Sequence, residues 1–86
     1  MEERLALKRE MLRLAEARSP ASFCPSEVAR ACASASGDES WRELMPLVRE
    51  VAAELADTGG IEVTQGGKVV DVREATGPIR LRLHLS

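Results

Sequence analysis

His84, Cys24 and Cys32 are the side chains of this 86-residue chain best suited to act as general base, nucleophile or metal ligand. Their spacing supports none of these roles. A nucleophile needs a base within hydrogen-bond reach and usually a third group to orient that base. The single histidine falls at a polar position of an alternating segment and reads as a solvated surface side chain. Cys24 and Cys32 stand eight residues apart without a Cys-x-x-Cys pair, so the four ligands of a zinc site cannot be assembled. They read as two buried, inert thiols, and about two helical turns between them oppose a disulfide. Glu27, Glu50 and Glu54 could pair as acid and base, yet each reads as an exposed helix position. Gly59-Gly60 and Gly66-Gly67 lack the Lys-Ser/Thr of a phosphate-cradling loop. The expectation is a chain that is not an enzyme, with no catalytic residue, no metal and no cofactor.

What remains is binding through charge and a few large side chains. The net charge is −2, but it is unevenly spread. Residues 1–18 and 61–86 each carry a net +1, whereas residues 19–60 hold three basic and seven acidic side chains. A phosphate backbone would be repelled by that middle segment. With no tyrosine and one phenylalanine there is no aromatic platform for stacking bases, so single-strand binding is disfavoured.

The elements that must position these residues follow from periodicity. A chain of this length supports one domain over residues 1–86, with 44% hydrophobic and 30% charged residues in the range of ordinary globular domains. Residues 2–17 read as a helix with Leu5, Leu7, Met11, Leu12, Leu14 and Ala15 on an apolar arc, stopped by Ser19-Pro20. Its basic residues are expected to form intrahelical pairs on a solvated face. Phe23-Cys24 reads as one or two residues of strand. A second helix opens at Pro25 and runs to about residue 33, with Val28, Ala29 and Cys32 inward. Ser40 and Glu43 have capping-box spacing for a third helix ending near residue 57, whose Leu44, Leu47, Val48, Val51, Ala52 and Leu55 keep helical spacing. Pro46 lies inside it and predicts either a kink or a short separate turn. Gly59-Gly60 ends the helix. The period then changes to two over residues 61–64, Gly66-Gly67 marks a turn, Val69-Val70 reads as a short strand, and residues 79–85 alternate strictly.

Three helices followed by a β-hairpin give an α+β architecture in the order of a winged helix-turn-helix, the hairpin being the wing. The segments Cys24–Ala31, Trp41–Ala52, Gly60–Gln65 and Gly77–Leu83 resemble a family of short bacterial proteins catalogued as a domain of unknown function within the winged-helix superfamily. The resemblance spans nearly the whole chain. It implies the fold and brings no activity, and fold alone does not assign function.

In a winged helix the start of the third helix approaches the DNA major groove and the wing touches backbone. That places Ser40, Arg42 and Arg49 near bases, Gln65 and Lys68 at the wing, and Arg80 and Arg82 along one face of the last strand as phosphate contacts. Trp41 is the candidate for contact with a protein partner, its structural alternative being a ring packed over helices two and three. Asp38, Glu39, Glu43, Glu50, Glu54 and Asp57 lie on or beside the reading helix and oppose duplex DNA. The expected role is therefore a binding module for a protein partner or a second copy, with DNA binding as the alternative. The charged N-terminus carries no signal-peptide pattern and no apolar run reaches the roughly 18–20 residues of a membrane span, which predicts a cytoplasmic protein with reduced thiols.

Overall fold

A computed structural model of the protein describes residues 2–35 and 41–84. Helices α1 (Glu2–Arg18), α2 (Pro25–Ala35) and α3 (Met45–Asp57) are followed by strands β1 (Ile61–Gln65), β2 (Lys68–Val69) and β3 (Arg80–Leu83). The chain is thus α+β, with a small antiparallel sheet in the order β2-β1-β3 packed on the helices.

Local signals explain most boundaries. The chain leaves α1 through a cis Ser19–Pro20 bond. At the start of α2, the Glu27 N–H donates to the Cys24 carbonyl (3.0 Å) and the Glu27 carboxylate accepts from the Cys24 N–H (3.0 Å). This reciprocal pair satisfies donors that the helix start would otherwise leave orphaned. The same N–H is the main reason why the Glu27 carboxyl sits below the usual carboxylate range; Arg18 reinforces it against the opposing effect of burial.

A separate 3₁₀ turn, Trp41–Leu44, precedes α3, and Pro46 occupies the first turn of the α-helix proper. Of the two outcomes expected from Pro46, the separate turn is the one observed. The proline ring sits where a missing N–H leaves no ladder bond unmade. Leu44 is the N-cap of α3 and offers no side-chain cap; Ser40, the expected cap, lies outside the described residues. At the other end the Gly60 N–H reaches the Leu55 carbonyl (2.8 Å) and the Gly59 N–H reaches that of Ala56 (3.1 Å). Both bonds require the left-handed backbone of Gly59 (φ +81°), which closes the helix in a Schellman motif.

Gly66 and Gly67 both have positive φ (60° and 84°), as a two-residue hairpin turn between twisted strands demands. They return the chain as β2, which pairs Thr64 with Val69 and Gln65 with Lys68. The expected strand at Val69-Val70 is thus displaced by one residue. Residues 70–79 then cross back, so that β3 joins the opposite edge of β1 in the register Ile61–Leu83 to Thr64–Arg80. The extended pairing expected between the two alternating segments is present, over a shorter stretch than residues 79–85. Phe23 adds one more rung: its N–H and carbonyl bond the carbonyl and N–H of Leu81 at 2.8 and 2.9 Å.

The core gathers Leu7 and Met11 of α1, Val28 of α2, Val48 and Val51 of α3, and Ile61, Val63 and Leu81 of the sheet around a fully buried Phe23. Three sequence expectations need correction. Leu5 is exposed, because the inward arc of α1 runs through Leu7, Met11, Leu14 and Ala15. Cys24 and Cys32 are half-buried rather than buried, and no disulfide joins them. The basic residues of α1 are not paired mainly within the helix: among the described residues Arg13 alone meets an acid of α1, Glu10, whereas Arg4 pairs with Glu54 of α3 and Arg18 with Glu27 of α2. Among the described residues no helix is long and apolar enough to cross a membrane.

Candidate functional site

The outer face of α3 and of the 3₁₀ turn before it carries Arg42, Glu43, Pro46, Glu50, Glu54 and Asp57, all exposed. Their surroundings divide the face in two. Toward the C-terminus, Glu54 pairs with Arg4 and Asp57 accepts two bonds from Arg73 (2.8 and 3.3 Å). The Arg73 guanidinium holds the Asp57 carboxyl below its ordinary range. Toward the N-terminus, Arg42, Glu43 and Glu50 have no ion-pair partner among the described residues.

Trp41 anchors this unneutralised end. Its half-buried ring packs against the core, and two guanidiniums lie over it, Arg30 of α2 at 4.4 Å and Arg42 at 4.6 Å from the centroid. Stacking uses the flat face of a guanidinium and leaves its N–H edge available for a carboxylate or phosphate. Arg30 also lacks an acidic partner among the described residues. Sequence reasoning did not single it out. Its exposed place on α2 was readable, but which ring it meets depends on how the chain returns from α2 to Trp41.

The residues proposed as nucleic-acid contacts are not gathered into one basic surface. Ser40 lies outside the described residues. The Arg49 guanidinium donates to the Ala75 carbonyl (2.8 Å), tying α3 to the segment after β2. Gln65 donates to the carbonyls of Thr76 (2.6 Å) and Pro78 (3.1 Å), bracing the same segment. Arg80 reaches back to the hydroxyl and carbonyl of Ser22 at 3.1 and 3.0 Å. Arg82 bonds Glu62 at 2.8 Å, and His84 lies 3.3 Å from the other carboxylate oxygen. Arg82 is the chief cause of a Glu62 carboxyl held below its usual range. Lys68, exposed at the hairpin tip, has no such engagement among the described residues.

Beside α3 an open cleft of about 370 Å³ is lined by Arg4, Pro46, Arg49, Glu50, Ala53, Glu54, Val72 and Arg73. Its three guanidiniums are each already bonded to a protein oxygen, so the cleft offers a mixed-charge hollow with a small apolar floor. Among the described residues no three His, Cys, Asp or Glu side chains converge as metal ligands. This surface can form ion pairs and bury an aromatic edge.

No curated protein matches the chain at a significant level. The model of the protein of unknown function family DUF3253 matches residues 4–84, from the first turn of α1 through β3, and the chain belongs to that family.

Proposed function

We propose that this chain is a non-catalytic winged-helix module that binds another protein through the outer face of α3. The winged-helix reading is supported by the element order and by the Phe23 rung, which joins the link between α1 and α2 to the last strand. The non-catalytic reading is supported by the surroundings of His84, whose carboxylate neighbour Glu62 is already held by Arg82.

One observation favours protein over nucleic acid. Glu50, Glu54 and Asp57 on α3, and Glu43 in the 3₁₀ turn before it, put exposed carboxylates along the helix that such a fold would present to DNA. Duplex affinity comes largely from neutralised phosphates, and the carboxylates of Glu43 and Glu50, which have no ion-pair partner among the described residues, oppose it. The competing DNA reading draws on Arg30, Arg42 and Lys68, whose charges are not neutralised by acids among the described residues.

A photo-crosslinking residue at position 50, compared with one at exposed position 16 of α1, tests the proposal in cells. Polypeptide adducts are expected from position 50 and not from position 16. Equal labelling, or none, refutes it. In parallel, retention on duplex DNA is expected to be absent at low salt. Retention that weakens steeply with salt and drops in Arg42→Ala and Lys68→Ala moves the chain to the DNA-binding class.

A further inference from the structure

We propose that the outer stripe of α3 is self-complementary, and that two copies of this chain pair through it antiparallel about a two-fold axis at Pro46. The proposal rests on the protein-binding reading above and names the partner as a second copy.

The segment Arg42-Glu43-Leu44-Met45-Pro46-Leu47-Val48-Arg49-Glu50 inverts in charge about its midpoint. Three residues to either side of Pro46 stand Glu43 and Arg49; four to either side stand Arg42 and Glu50. Laid antiparallel on a second copy, with proline against proline, the segment sets Arg42 against Glu50 and Glu43 against Arg49. A two-fold axis makes each pair twice, as an isologous interface requires. A parallel, in-register arrangement would instead set like charges together.

The structure places these residues where such pairing needs them. Arg42, Glu43, Pro46 and Glu50 are exposed, and Arg49 is half-buried at the lip of the cleft. Arg42 and Glu50 have no ion-pair partner among the described residues, and stacking on Trp41 leaves the N–H edge of Arg42 available to a carboxylate. Arg49 gives one N–H to Ala75 and keeps others of its five donors. Packed helices lie roughly 8–10 Å apart, a gap that long arginine and glutamate side chains can span. Antiparallel pairing also brings the Trp41–Arg42 corner of one copy to the cleft beside Pro46, Arg49 and Glu50 of the other. Tryptophan and arginine are the residues that most often anchor protein interfaces, and Arg30 and Arg42 stacked on Trp41 hold that corner in one shape.

Sedimentation equilibrium of the full chain, with reductant, from micromolar to near-millimolar concentration tests the proposal. The mass should rise from 9.3 kDa toward twice that value, less so at high salt. Arg42→Glu and Glu50→Arg should each weaken association at least tenfold with helical content unchanged. The double variant R42E/E50R restores opposite charges across the axis in both copies and should recover most of the affinity. A chain that stays monomeric throughout overturns the proposal. So does a dimer indifferent to either reversal, or a double variant no better than the singles. A monomeric chain whose position 50 still crosslinks to another polypeptide refutes the two-fold pairing and leaves the protein-binding reading standing; absence of both refutes the two together.

Discussion

The sheet end of the molecule and the start of α3 carry similar densities of charge and use it in opposite ways. Around the sheet, Gln65, Arg80, Arg82, Glu62 and Arg73 each hold a named partner, and the two Gln65 bonds to Thr76 and Pro78 brace the segment before β3 against β1. At the start of α3, Arg42, Glu43 and Glu50 face solvent without an ion-pair partner among the described residues. A cation bonded to its own fold has fewer donors left, and less freedom to aim them, when it meets a ligand. A tally of arginines therefore measures binding capacity poorly; what counts is how many keep their head groups unengaged.

The sharpest way to break this contrast is through what the sheet end is built on. Phe23→Ala removes a fully buried ring at the junction of helices and sheet and should cost about 3–5 kcal/mol. Against the roughly 4–13 kcal/mol expected of a domain this size, chemical denaturation should show a variant near the edge of folding. Survival with an unchanged midpoint would mean that the sheet is not what organises the core.

A smaller effect separates Arg49 of α3 from Arg42 of the 3₁₀ turn before it. Arg49→Ala leaves the Ala75 carbonyl without its charged donor and should lower stability by about 1–2 kcal/mol in the same measurement. Glu50→Ala should stay within about 0.5 kcal/mol of the parent and Arg42→Ala within about 1 kcal/mol, because among the described residues Glu50 makes no hydrogen bond or ion pair and Arg42 only stacks on Trp41. If Arg42→Ala destabilised the chain as much as Arg49→Ala, the stacked guanidinium would belong to the fold rather than to a binding surface.

The pH profile adds a gentler test. Glu27, Asp57 and Glu62 have carboxyls depressed by the Cys24 N–H, Arg73 and Arg82 respectively. A depressed folded-state value means that the unfolded chain takes up protons first. Their contribution is therefore complete above the unfolded values, about 3.9–4.3, and fades as the pH falls through the lower folded ones. Denaturation midpoints should be flat from pH 7 to pH 5 and fall below about pH 4, with a shallower fall in Glu62→Gln. All three groups belong to the engaged set.

Much of this architecture was legible in the sequence, and the reason differs by element. The stripe of α3 and the alternation of residues 79–85 announce themselves because burial on one face imposes a period. Gly59, Gly66 and Gly67 mark turns because only glycine adopts their backbone cheaply. Through-space partners were not legible. Arg4 with Glu54, Arg18 with Glu27 and Arg80 with Ser22 join residues 9 to 58 positions apart, and no local rule carries that information. The same limit explains why Arg49, Gln65, Arg80 and Arg82 read as surface contacts in the sequence and as braces in the fold. Leu5 shows the complementary limit: the helical arc was broader on paper than the core is wide.

The rung between Phe23 and Leu81 also sets an order of events. It closes a loop of 58 residues, so most of the chain must already be confined before its two bonds can form. Helix formation is local and fast, whereas such distant closure is slow and entropically opposed. During synthesis α1, α2 and α3 can condense while Phe23 still lacks the strand that covers it. Until residues 80–83 arrive, the Phe23 ring in the link between α1 and α2 and the edge of β1 stay uncovered, which is the interval in which nascent copies are most prone to stick to one another.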